Sequence, residues 1–185
     1  PPAKLDTGHA WRKRRQTSCH PGTPPALVRH SPAACTAAVA AGATRVLSIA
    51  AGVSIATLQR ATGPSVAVVR SMPNTPALVG KGAAGIAGGQ SATAADLDWA
   101  ESILGSVGTV VRVPEAQLDA VTGLAGSGPA YIFLVAEALI DAGVLAGLSR
   151  ANSEALVTQL LVGSAALLAD RGNPAQLRAN VTSPG

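Results

Sequence analysis

The chain has 185 residues, of which 48% are hydrophobic, 2% aromatic and 13% charged, with a net charge of +4. That is enough for one domain with a good core or two small ones, and the core must be built from Ala, Val, Leu and Gly, a bias that a GC-rich coding sequence also produces. The positive charge excludes little about the body: residues 1–45 carry seven Lys/Arg against Asp6 alone, whereas residues 46–185 carry seven against nine acids.

Residues 1–34 hold six prolines and show no sustained period, so no packed element is expected there. The basic run "WRKRR" (11–15) has no aromatic platform beside it and reads as a solvated tail, with no nucleic acid expected. Cys19 and Cys35 fit neither a zinc nor a CxxC spacing and read as free thiols. The first residues lack an apolar h-region, and the expected setting is cytoplasmic.

Order is expected to begin near Ala37, with "AAVAAGA" (37–43) as a short helix. "RVLSIAAG" (45–52) predicts a buried strand ending in a glycine turn, and "SIATLQRAT" (54–62) a helix capped by Ser54. "SVAVVR" (65–70) predicts a second strand, "SMPNTPALVGKG" (71–82) a loop, and "AAGIAG" (83–88) a third strand. Thr93 starts a helix with Leu97, Ala100, Ile103 and Leu104 inward, and "TVVRV" (109–113) is a strand closed by Pro114. Beyond Pro114 only helices are expected, over 115–122, 129–146 and 149–171.

The predicted fold is α/β: a poorly ordered 1–36, a partial Rossmann-like parallel sheet over 37–113, and an all-α dimerisation part over 114–185. The long helices are apolar on more than one face and must be enclosed, by a second subunit or by the α/β part. Glu137 and Asp141 interrupt the longest apolar run, 130–148, which argues against a membrane span.

Two glycine motifs invite a functional reading. Gly80, Gly82 and Gly85 spell GxGxxG, but a proline-broken loop precedes them and a strand follows where a helix should open. "GLAGSGPAY" (123–131) is neither a nucleophile elbow nor a phosphate loop; it reads as a helix entrance with Ser127 as N-cap and Pro129 in the first turn. His9, His20 and His30 all lie outside the part expected to be ordered, so no catalytic triad and no His-based metal site is expected. Chemistry would then come from a cofactor, and hydride transfer asks least of protein acids and bases.

"SIAAGVSIATLQ" (48–59), "VVRSMPNTPALVGKGA" (68–83), "LDAVTGLAGSGPAYIFLVAEALIDAGV" (118–144) and "RANVTSPG" (178–185) resemble pyrroline-5-carboxylate reductase, in that family's order and over roughly 46–185. The resemblance implies reduction of 1-pyrroline-5-carboxylate to L-proline by hydride transfer from NADPH or NADH, the last step of proline biosynthesis. It also implies a homodimer formed through the helical domain, commonly assembled into rings of five dimers. Carried over residue by residue, it places Ile49, Ala50, Ala51, Gly52, Asn74 and Asn180 at the cofactor, and Glu115, Ser183 and Gly185 at the substrate. No catalytic side chain is carried over. Asn74 reads equally as a turn-former, and Glu115 as an acid favoured at a helix N-terminus.

Two departures accompany the matches. The family's N-terminal glycine fingerprint has no counterpart here, and the chain stops at Gly185 where the family continues. The expectation is therefore a chain shortened at both ends that does not turn over substrate by itself. The alternatives are a non-catalytic helical oligomerisation fragment and a related imine or β-hydroxyacid reductase.

Overall fold

The computed structural model describes residues 26–28 and 32–182. The readings made for 11–15, Cys19, the three histidines, Ser183 and Gly185 lie outside the described residues. The first unit opens with β1 (Ala26–Val28) and α1 (Pro32–Ala40), followed by β2 (Arg45–Ser48), α2 (Ile55–Thr62) and β3 (Ala67–Met72). A 3-10 turn (Thr75–Val79), β4 (Gly82–Gly88), α3 (Ala94–Gly105) and β5 (Gly108–Arg112) complete it up to the helical region. β1 falls where the sequence showed no element, and α1 begins five residues before the short helix expected over 37–43. A three-residue strand is too short to display a period, and α1 opens on a proline, the first helical position, where the missing N–H costs nothing.

The five strands form one sheet in the order β1-β2-β3-β4-β5. Three of its pairings are parallel as expected, and β3–β4 is antiparallel. The reason lies in the connection: a parallel pair needs a crossover of a dozen or more residues, and residues 73–81 supply only a 3-10 turn, so the chain must double back.

Alternation along the strands sends side chains to two layers. Val46 and Val68 pack with Cys35, Leu58 and Val66 under α1 and α2. Leu47, Val69, Ala84 and Ile86 pack with Ala100 and Leu104 of α3 on the other face. Local signals fix the helix starts. Ser54 Oγ accepts the Thr57 N–H at 3.2 Å, and Thr93 and Asp96 form a reciprocal capping box at the start of α3.

After β5 the chain is helical almost continuously: a 3-10 turn (Glu115–Gln117), α4 (Leu118–Val121), a π-helical turn (Thr122–Gly126) and α5 (Gly128–Leu145). The break between the two compact units falls at Pro129–Ala130. The run 115–126 stays with the sheet because fully buried Leu118 packs with Ile55 and Ala87.

The second unit comprises the rest of α5, α6 (Arg150–Arg171) and α7 (Pro174–Val181). Ser149 caps α6 by accepting the Asn152 N–H at 3.2 Å. The sequence reading ended at 171 and missed α7, although Asn173–Pro174 carries its signal: Asn173 Oδ1 accepts the Gln176 N–H at 3.2 Å and Pro174 takes the first helical position. Among the described residues of this unit only Ser153 and Val157 are buried. Tyr131, Phe133, Leu134, Leu156 and Leu160 are each at least half exposed. The helical run Glu115–Leu145 contains an 18-residue window of mean hydropathy 1.6 and is by length and composition alone long enough to cross a membrane. Its first turns, however, are packed on the sheet through Leu118 and Val121.

Candidate functional site

In open α/β sheets ligands bind outside the carboxyl ends of the strands. Here those ends belong to β2 and β3, tied to each other by two serines. Ser71 Oγ donates to the Ser48 carbonyl at 3.0 Å, and Ser48 Oγ accepts the Ala50 N–H at 3.3 Å. Both serines are buried, so the hydroxyls serve the backbone and not a reaction. Between β2 and α2 the chain turns through residues 49–52, with Gly52 at φ +74°, a region glycine enters without penalty. Ala51 and Gly52 are exposed, and Ala50 is buried beneath them. This is a low, side-chain-poor ledge with accessible backbone.

The N-terminus of α2, beside the ledge, is already occupied by a carboxylate. Glu115 Oε1 accepts the Ile55 N–H at 2.6 Å and a hydrogen bond from Arg70 Nη1 at 3.1 Å. Arg70 is buried and its Nη2 lies 3.7 Å from Asp119 Oδ1. A buried guanidinium needs compensating charge, and Glu115 supplies it while opposing the α2 dipole. The sequence reading passed over Arg70; its signal was a lone cation ending an apolar strand.

Asn74 uses both ends of its amide. Its Oδ1 accepts the Ala83 N–H at 2.9 Å, and its Nδ2 donates to the Ala125 carbonyl at 3.0 Å. The loop after β3 is thereby joined to the start of β4 and to the π turn. Met72 Cε packs against Gly126, where an added Cβ would come within 2.7 Å of it. Ser127 has helical backbone angles, φ −85° and ψ −18°, not the extended ones of an N-cap, so the chain passes from the π turn into α5 without leaving helical conformation. The glycine-rich stretch is a widened turn inside a continuing helix, a form that recurs at functional sites.

The GxGxxG spelling also resolves structurally. Gly80 ends the 3-10 turn with φ +72°, Gly82 faces Ala77 and the Val107 carbonyl, and Gly85 lies under Val121 and Leu118. β4 follows where a dinucleotide-binding turn would open a helix.

Of the remaining residues, Asn180 stands exposed on α7, its Oδ1 accepting from Gln176 Nε2 at 2.8 Å. It borders an open cleft of about 310 Å3 shared with Leu167, Arg171, Leu177 and Val181. No group of three His, Cys, Asp or Glu able to hold a metal occurs among the described residues. Elsewhere, burial pushes the Cys35 thiol up, and hydrogen bonds to Asp98 and Glu101 push the exposed Arg112 guanidinium further up.

Residues 49–52 present backbone with little side chain around it, the only property of this turn that bears on a dinucleotide's flat nicotinamide–ribose end. The α2 N-terminus does not fit a pyrophosphate, because Glu115 and Ser54 already take its Ile55 and Thr57 N–H groups.

Comparison with known proteins gives one family match, described as pyrroline-5-carboxylate reductase dimerisation, over residues 115–185. The chain is 49% identical over 152 residues to a pyrroline-5-carboxylate reductase of Synechocystis, covering 80% of this chain and 57% of that protein. To the Corynebacterium melassecola protein of the same name it is 46% identical over 140 residues, covering 75% and 52%. Among solved structures, the Coxiella burnetii pyrroline-5-carboxylate reductase aligns with a TM-score of 0.78 at 34% identity, covering 86% of this chain and 63% of that one. The Plasmodium falciparum enzyme, solved with NADP bound, aligns with a TM-score of 0.75 at 31% identity, covering 86% and 64%. The chain spans a little over half the length of the curated relatives it matches.

Proposed function

We propose, on the premise that this chain is a relative of the pyrroline-5-carboxylate reductases, that the protein reduces 1-pyrroline-5-carboxylate to L-proline with NADPH or NADH. The observation that carries this reading is the sequence likeness to curated reductases over most of the chain. The bound dinucleotide supplies the hydride, which goes to the carbon of the C=N bond. The protein's part is positioning and charge complementarity. Residues 49–52 offer backbone to the nicotinamide–ribose end, with Asn180 as a further cofactor contact and Asn74 holding the β3–β4 loop through its bonds to Ala83 and Ala125. Glu115, fixed by Arg70 and the Ile55 N–H, is the carboxylate offered to the ring nitrogen. Ser183 and Gly185 hold the substrate carboxylate.

The same proposal includes a homodimer built on α5 and α6, whose apolar residues are uncovered among the described residues of their own unit. Assembly of dimers into larger rings and a cytoplasmic setting belong to it as well.

The test is to incubate the whole protein that carries this sequence, not the 185 residues alone, with NADPH and 1-pyrroline-5-carboxylate and to quantify proline by mass spectrometry. Proline formation that requires both reactants is the expected result. Dinucleotide binding with reduction of a different cyclic imine or a β-hydroxyacid would replace the substrate. Self-association with no dinucleotide binding would reduce the protein to a non-catalytic helical module.

A further inference from the structure

Pro129 removes a hydrogen-bond donor from the helix in which it sits. In a regular α-helix the carbonyl of residue 125 accepts from the N–H of residue 129, and a proline has none. The structure answers this in two ways at once. The backbone widens into the π turn Thr122–Gly126, with the Ser127 N–H donating to the Thr122 carbonyl at 2.8 Å. The Ala125 carbonyl is reached from outside the helix by Asn74 Nδ2 at 3.0 Å. Asn74 in turn stands in the loop between β3 and β4, with its Oδ1 on the Ala83 N–H. The loop that leaves the end of β3 is thus held against the glycine-rich turn by a donor that the proline has made necessary.

We propose that Asn74 is a positioning residue coupled to Pro129: the proline exposes the Ala125 carbonyl, and the Asn74 amide uses it to fix the β3–β4 loop beside the cofactor ledge. This rests on the reductase reading for what the loop serves, and on the hydrogen bonds alone for the latch itself. Only an amide does both jobs at this place. Aspartate keeps an acceptor for Ala83 but has no donor for Ala125, and it brings a negative charge toward a carbonyl oxygen. Replacing Pro129 by alanine restores the N–H at 129 and lets the helix satisfy its own carbonyl, so the donor of Asn74 becomes dispensable.

The coupling is tested with Asn74→Asp, Pro129→Ala and the double variant. Amide exchange is followed over 118–128 and at Ala83, and NADPH binding is followed by titration. Asn74→Asp is expected to speed exchange in 122–128 about tenfold and to weaken NADPH binding about tenfold, with the Ala83 amide still protected. Adding Pro129→Ala is expected to bring both back to within about twofold of the parent. An Asn74→Leu variant, lacking donor and acceptor, should leave Ala83 fast whether or not Pro129 is replaced. Failure of Pro129→Ala to restore exchange in the Asp variant overturns the coupling. Rescue of exchange without rescue of NADPH binding overturns the positioning role. A parent protein that does not bind NADPH overturns the reductase reading instead, while the exchange results still decide the latch.

Discussion

The side chain of Glu115 reaches back 60 positions in the chain to place Oε1 2.6 Å from the Ile55 N–H, and the same oxygen accepts from Arg70. One carboxylate thus compensates a helix N-terminus and a buried cation together. Glu115→Ala leaves the Arg70 guanidinium, among the described residues, with the exposed carboxylate of Asp119 alone and should cost about 2–4 kcal/mol. Glu115→Gln keeps an acceptor and should cost about half as much. Urea unfolding of the two variants checks this. Unchanged midpoints accompanied by a large rise in KM for the imine would make Glu115 a substrate contact with no structural share.

Helices α5 and α6 approach closely at Gly143 and Ser153. A Cβ at position 143 would lie 2.5 Å from Ser153 Oγ and 3.3 Å from Ser153 Cβ. Ser153 is buried, and its hydroxyl has no hydrogen-bond partner among the described residues. Gly143→Ala should therefore destabilise by about 1–2 kcal/mol, because overpacking outweighs the gain of about 1 kcal/mol in helix propensity. Ser153→Ala should be neutral or slightly stabilising, since it removes a desolvated hydroxyl. In that background Gly143→Ala should cost clearly less. Additive costs in thermal unfolding would show that the two positions do not touch.

Gly82 and Gly108 face each other across the β4–β5 pair, and a Cβ on Gly108 would fall on the Gly82 carbonyl group. That obstacle is backbone, which no rotamer change relieves. Gly108→Ala should cost at least about 2 kcal/mol and loosen β5, whereas an alanine at Gly105, where nothing lies within 4 Å, should be tolerated. Amide exchange of the β4 and β5 strands in the two variants separates these outcomes.

Much of the first unit was legible because its signals are local. Ser54 and Thr93 cap the helices that begin one residue later, and the alternation of Val46 with Leu47 and of Val68 with Val69 divides the two faces of the sheet. The antiparallel turn of β4 was not legible, since strand direction depends on the connection and not on the strand's own residues. The meaning of Glu115, Arg70 and Asn74 was hidden for a related reason. Each acts on a partner 9 to 60 positions away, and no periodicity encodes that reach. Ser127 misled because serine before Gly-Pro has the composition of a helix start, whereas its backbone keeps helical angles directly after the π turn Thr122–Gly126.

Burial of Cys35 raises the pKa of its thiol, and the sign of the consequence follows. The folded protein disfavours the thiolate, so the unfolded chain loses its proton first as pH rises. The contribution is fully present below the unfolded thiol value, about 8.5, and declines above it toward the folded value. Stability should therefore fall between pH 8 and 10 more steeply in the parent than in Cys35→Ala. Matching slopes in chemical denaturation over that range would contradict the assignment.

The apolar side chains of α5 and α6 supply the last prediction. Phe133 is 61% exposed, Leu134 65%, Leu156 60% and Leu160 52%, and within their own unit nothing encloses them. At about 25 cal/mol per Å2, covering four such side chains is worth several kcal/mol, enough to drive association once the entropy of pairing is met. Phe133→Arg with Leu156→Arg should shift sedimentation from dimer toward monomer. The unfolding transition reported by Trp99, in the first unit, should stay in place. A charged pair at these positions is also unfavourable in lipid, so partition into vesicles supplies the contrary outcome. If the parent floats with phosphatidylcholine vesicles and the variant does not, while both remain monomeric, the uncovered face serves a bilayer rather than a second copy of the chain.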